Sequence, residues 1–161
     1  MMGPVASKTT PPAVAVRQAT VEDLDLLVPL FDAYRQFYRQ PSEPQRARRF
    51  LLERFEHSQS VIFLSLDGAA AIGFTQLYPS FSSGAMARIF ILNDLFVAPE
   101  ARGRGAGTAL LHAAAKYARL AGAARLVLST EVTNATAQSL YERLGWKRDA
   151  AFCVYQLALG D

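Results

Sequence analysis

The sequence predicts a mixed α/β domain whose elements run strand, two helices, three strands, helix, strand, helix, strand. Three observations predict it. Apolar residues alternate between a period of two and a period of three to four along the chain. Asp67-Gly68, a dipeptide suited to a tight hairpin, separates two strand-like apolar runs. A glycine-rich turn at residues 103–107 then separates a third apolar run from a helix with one apolar face. At 161 residues and 51% hydrophobic, the chain has enough apolar mass for one sizeable core.

Residues 1–13 hold Pro4, Pro11 and Pro12 with little large apolar surface, so they read as a disordered lead-in to one domain spanning 14–161. Residues 14–19 form a short strand, and Thr20 with Asp23 resembles a capping pair opening a helix to about Tyr38. Leu24, Leu27, Leu30, Phe31 and Tyr34 fix its apolar face, and Pro29 predicts a kink or break. A second helix runs from about Pro44 to Glu56, with Phe50, Leu51 and Phe55 inward. Residues 60–66, 69–78 and 86–97 are three antiparallel strands, with a loop at 79–84 before the third. The helix at 105–120 ends at Gly122, residues 125–130 form a strand, and a helix at 134–144 closes at Gly145. Residues 151–159 make a last strand that is apolar on both faces, and covering it with a second subunit makes a homodimer the expected assembly.

Composition narrows the function. No 18 apolar residues run together and the N-terminus lacks a secretion-signal layout, so a cytoplasmic protein without a membrane partner is expected. One cysteine, Cys153, excludes an internal disulfide, and in a strand with no nearby histidine it reads as buried packing. With only His57 and His112 besides, no metal site is expected. The 14 Arg and 3 Lys exceed the acids by a net charge of only +3, which favours a small anionic ligand over a nucleic-acid surface. Residues 35–54 carry six Arg and two Glu, a local +4 that reads first as a solvated helix face.

The most informative stretch joins the third sheet strand to the next helix. Its glycines let backbone approach a ligand, and the first N–H groups of a helix have no intrahelical acceptor. With the helix dipole, Arg102 and Arg104, these donors make an anion site suited to phosphate or diphosphate. The same glycines also read as a tight turn and nothing more. A P-loop is excluded because no lysine stands in the required place. The dinucleotide fingerprint fails at its third glycine, Thr108, although Glu131 could imitate the ribose-binding acid and keeps a nicotinamide dinucleotide as an alternative.

Arg102-Gly103-Arg104-Gly105-Ala106-Gly107 resembles the Arg/Gln-x-x-Gly-x-Gly/Ala motif of the GNAT N-acetyltransferase superfamily. The segment from Asn134 through Ala137, Leu140 and Tyr141 to Gly145-Trp146 resembles that family's Asn-x-x-Ala-x-x-Leu-Tyr-x-x-x-Gly-Phe motif. Leu92-Asn93-Asp94-Leu95-Phe96-Val97 is similar to the matching strand of the histone/polyamine acetyltransferase branch. The resemblance implies a GNAT fold of order β-α-α-β-β-β-α-β-α-β and a transfer of acetyl from acetyl-CoA to a primary amine by direct attack in a ternary complex. It also implies a cofactor path. Backbone donors at Phe96 or Val97 meet the oxyanion and the pantetheine arm, the N–H groups from about Arg104 through Gly105, Ala106 and Gly107 to Thr108 take the diphosphate, and Asn134 and Ala137 contact the arm.

Tyr141 is the residue implied for the leaving sulfur. Asn134, Ala137 and Tyr141 share one helix face by spacing, although Ala137, Leu140, Tyr141 and Leu144 equally form an ordinary core stripe. The polyamine branch often has glutamate where this chain has Asn93, which cannot accept a proton. Asp94 is the nearest acid, but strand alternation aims it at the opposite face unless a bulge intervenes; water is the other route for the proton. Tyr34 and Tyr38, with Asn93, are candidates to line the acceptor pocket, and the local positive charge favours a small acceptor that is neutral overall or carries a carboxylate. A non-catalytic acyl-CoA-binding or interaction module on the same fold is the alternative function.

Overall fold

A computed structural model describes residues 14–160; the lead-in expected at residues 1–13 lies outside them. The described residues fall into two units, one ending at Leu128 and the other beginning at Ser129. The first holds β1 (Ala15–Gln18), α1 (Leu24–Phe37), α2 (Pro44–Glu56), β2 (Val61–Asp67), β3 (Ala70–Ser82), β4 (Ala87–Val97), α3 (Ala106–Leu120) and β5 (Leu126–Val127). These strands make one mixed sheet in the order β1-β2-β3-β4-β5, antiparallel except for the parallel β4–β5 pair.

α1 opens as its sequence requires. The Asp23 carboxylate accepts the Thr20 N–H at 2.8 Å, and both its oxygens receive the Arg17 guanidinium, at 2.7 and 2.8 Å. Pro29 does not break the helix, which continues to Phe37. Pro29 and Asp25 are exposed, so the Asp25 carbonyl that loses its helical donor stays in water. Leu27, Val28, Leu30 and Phe31, buried on the other side, hold the helix to the sheet. The six arginines of residues 35–54 are largely paired: Arg35 meets Glu43 and Asp32, Arg46 meets Glu43, Arg54 meets Glu53, and Arg48 meets Asp25. Asp25 and Asp32 come from α1, so the positive field expected from this segment is weaker than its own charge count implies.

The hairpin forms at Asp67-Gly68, where Gly68 has φ 60°. β3 runs further than expected, through Pro79 to Ser82. β2 starts at Val61, opposite Leu77, so from residue 78 onward β3 has no neighbour on that side and the missing proline N–H costs no ladder bond.

The β3–β4 register decides the site. Gln76 pairs with Asp94, yet Leu77 pairs with Leu92, which leaves Asn93 as an extra residue in β4. The bulge reverses which face even-numbered residues take. Before it, Phe90 packs its ring 5.6 Å from Tyr117 of α3; after it, Phe96 lies 6.4 Å from Tyr34 of α1. Asp94 is thereby turned toward the α1 side, together with Phe74 and Phe96.

Two expected strands are corrected. β5 covers only Leu126–Val127, not residues 125–130. Residues 151–160 form no strand and all lie exposed, including Phe152, Val154, Tyr155, Leu157 and Leu159. A strand exists only with a ladder partner, and an apolar run does not encode which edge will supply one; among the described residues none pairs with it. Cys153, expected to be buried there, is exposed for the same reason. The second unit contains one helix, α4 (Ala135–Arg143). Among the described residues no helix is long and apolar enough to cross a membrane, and no group of three His, Cys, Asp or Glu could hold a metal.

Candidate active site

β5 meets β4 only at Phe90 and Ile91, so β4 from Leu92 to Val97 presents an edge with no strand beside it among the described residues. The Ala98 N–H bonds Ile72 O of β3 at 2.8 Å, so by alternation Phe96 also turns its peptide groups inward. Leu95 and Val97 turn theirs outward. Of the two residues expected to supply a main-chain donor, Val97 fits and Phe96 does not; Leu95 joins Val97 as a donor that the sequence did not single out.

The chain leaves this edge through a short 3-10 turn, Pro99–Ala101, and re-enters a helix at Ala106. Gly103 and Gly105 have φ of 76° and 83°, left-handed values that favour glycine, although a Cβ at either would meet nothing within 4 Å. Gly105 is the N-cap of α3 and supplies no capping side chain; the first helical bond runs from Ala109 N–H to Gly105 O, at 3.0 Å. The N–H groups of Ala106, Gly107 and Thr108 thus point out of the helix start without helical acceptors. The arginines contribute less than expected. The Arg102 Nε donates to Val97 O at 3.0 Å with its guanidinium 5.9 Å from the rings of both Phe37 and Phe96, and Arg104 is paired with Asp67 at 2.7 Å. The main chain is what remains open to an anion.

Around the bulge sits a buried polar cluster. Asp94, 2% exposed, accepts from Gln76 Nε2 at 2.6 Å and from Asn93 Nδ2 at 2.9 Å, and the Tyr34 hydroxyl beside them donates to the Asn93 main-chain carbonyl at 3.4 Å. Alternation forbids neighbouring side chains in one strand from meeting, so the Asn93–Asp94 contact is a direct product of the bulge. Burial pushes the Asp94 carboxyl above its ordinary range, and the donor groups around it, Gln76 first and then Tyr34 and Asn93, pull against that. Burial first, and the nearby Asp94 charge second, raise the phenols of Tyr34 and Tyr78, so both stay neutral hydrogen-bond donors. Tyr38 packs edge-on to Tyr34 at 5.0 Å.

Tyr34, Tyr38, Asn93 and Asp94, separated in sequence, are therefore brought together. A groove of about 410 Å³ between α1 and the end of β4, lined by Leu30, Ala33, Phe96 and Ala98 among others, does not include the tyrosines. Gln76 and Tyr78 were missed. The only signal was that Gln76 is a lone amide in the otherwise apolar run of β3.

In the second unit, Asn134 is the N-cap of α4 and its side-chain oxygen accepts the Ala137 N–H at 3.2 Å, which leaves Nδ2 as the group able to reach a ligand. Ala137 and Tyr141 follow on the same face, both partly buried, and the Tyr141 ring lies 6.0 Å from Trp146.

A model of the acetyltransferase (GNAT) family matches residues 27–146. The chain belongs to the GNAT family. A Bacillus subtilis relative, described as an uncharacterized N-acetyltransferase YhfO, is 51% identical over 88% of this chain and 95% of its own length. A probable acetyltransferase of Haemophilus influenzae is 32% identical over 85% of this chain and 92% of its own. Among GNAT folds of known structure, a probable acetyltransferase superposes with a TM-score of 0.86 at 45% identity, covering 91% of this chain and 99% of that one. An aminoglycoside N-acetyltransferase in complex with CoA shares the fold alone, with a TM-score of 0.77 at 18% identity, 92% of this chain and 98% of that one.

Proposed function

We propose that this GNAT protein is an acetyl-CoA-dependent N-acetyltransferase that acts on a primary amine by direct transfer in a ternary complex. The observation that carries this reading is the unpaired edge of β4 leading into the uncapped start of α3. An extended amide-bearing arm finds strand-like partners along Leu92–Val97, and a diphosphate matches the outward N–H groups of Ala106, Gly107 and Thr108. Acetyl-CoA brings a thioester-activated acetyl group to that path. Arg104 can leave Asp67 for a phosphate at little cost, because that ion pair is exposed.

The outward N–H groups of Leu95 and Val97 suit the oxyanion that develops at the reacting carbonyl. Asp94 receives the proton of the acceptor's ammonium, a role that the bulge opens and that Asn93 cannot fill. The chain still resembles the histone/polyamine branch along Leu92–Val97, with the acid moved one position along. Tyr34, Tyr38 and Asn93 line the acceptor side. Tyr141 serves the leaving sulfur and Asn134 and Ala137 the arm, by the family resemblance of their motif. A phenol near pKa 10 facing a thiol near 8.5 gives up its proton uphill by about 2 kcal/mol, so Tyr141 donates a hydrogen bond first and transfers the proton late.

A free-thiol release assay against lysine-bearing peptides, polyamines, amino acids and aminoglycosides tests the reading. At least one amine should release CoA, and Tyr141→Phe should cut that turnover by roughly ten- to a hundredfold while CoA affinity stays within about twofold. Tight CoA binding with no thiol release from any amine would instead make the chain a non-catalytic binder.

A further inference from the structure

Gln76 is fully buried on β3, directly opposite Asp94 across the bulge. Its Nε2 donates to the Asp94 carboxylate at 2.6 Å, while its Oε1 is buried with no hydrogen-bond partner. A buried acceptor without a donor is rare in native proteins and calls for an account. A glutamine kept only to satisfy a carboxylate would be anchored at both ends. This one is anchored at one end, by Asp94 alone, so among the described residues no other hydrogen bond fixes which way its amide faces.

We propose that Gln76 is the positioning residue for proton transfer to Asp94: its side-chain amide presents N–H to the carboxylate and turns over to present its carbonyl oxygen once Asp94 is protonated. This rests on the reading of Asp94 as the proton acceptor. In the step, the N–H bond of the acceptor's ammonium breaks and an O–H bond forms on Asp94. The new O–H is a donor, which the Gln76 N–H cannot accept and its carbonyl can. The proton goes to water before the next turnover, and the amide turns back.

The other groups facing Asp94 do not share its titration. Tyr34 of α1 and Tyr78 of β3 are neutral donors, and Tyr38 of α1 acts on Tyr34. Asn93 does not ionise, and Arg54 of α2 acts on this cluster through Tyr78. Asp94 is the one carboxyl of this cluster, and burial raises its proton affinity.

The test is a pH titration of the whole protein by NMR, following the Asp94 carboxyl carbon, assigned by its absence in Asp94→Asn, and the Gln76 side-chain NH₂, assigned by its absence in Gln76→Leu. The two wild-type signals are expected to move together with one midpoint. Gln76→Leu removes a donor to the charged form, so the Asp94 midpoint should rise by at least one pH unit, a tenfold gain in proton affinity. A Gln76 amide that stays still while Asp94 titrates overturns the proposal, and this wild-type measurement stands even if Gln76→Leu folds poorly. An unmoved midpoint in a folded Gln76→Leu overturns it as well. Full turnover by Asp94→Asn would overturn the proton-acceptor reading itself; lost turnover with a silent Gln76 amide overturns this inference alone.

Discussion

Asp94→Asn should lower kcat/KM by roughly 100- to 10,000-fold, the range expected for loss of a positioned general base. Asparagine keeps the shape and can still accept the Gln76 N–H, and the Thr75 hydroxyl bonds the main-chain carbonyl at this position, so the fold and CoA binding should survive. The pH dependence follows from the sign of the shift. Asp94 must be ionised to take a proton, and burial raises its pKa, so wild-type activity is present above that raised value and is lost as pH falls through it. In Asp94→Asn that limb should vanish from what activity remains. Steady-state kinetics between about pH 5 and 9 would check both parts, and a variant with wild-type kcat/KM would transfer the role to water.

Gly73→Ala should damage stability and cofactor binding together. A Cβ at Gly73 would stand 2.7 Å from Phe96 O, 2.8 Å from Ser65 Oγ and 3.3 Å from the Val97 Cα. The first of these contacts is backbone and cannot rotate away. β3 is held between β2 and β4, so the strain falls on the last residues of β4, where Val97 turns its N–H to the open edge. Overpacking of this kind costs about 1–3 kcal/mol. Thermal unfolding should show a drop of roughly 2–10 °C, and CoA affinity should weaken in the same protein. Wild-type values for both would mean that the β4 end is looser than the packing implies.

The elements that the sequence disclosed are those whose cause is local. The 3.6-residue period of α1, the Thr20–Asp23 bond and the Asp67-Gly68 turn each depend on residues within one or two turns of one another, and the structure has all three. Gly103 and Gly105 were legible for the same reason, since left-handed backbone favours glycine at their own positions. The bulge was not legible. It depends on how two strands slide past each other, and no pattern within β4 states that Leu77 will meet Leu92 after Gln76 has met Asp94. Without it Asp94 could be named but not aimed, and Gln76 could not be connected to it at all. The pairing of Arg104 with Asp67 and of Arg48 with Asp25 also joins residues far apart in sequence, which is why charge counting overstated both the anion site and the positive segment. Residues 151–159 failed for a related reason: hydrophobicity predicts burial, while a strand needs a specified neighbour.

Amide chemical shifts of ¹⁵N-labelled protein titrated with CoA test the cofactor path most directly. The N–H signals of Ala106, Gly107 and Thr108 and of Leu95 and Val97 should show the largest shifts, because each is an outward donor that gains an acceptor. Saturable binding that leaves those amides in place and moves a different part of the protein would contradict the account.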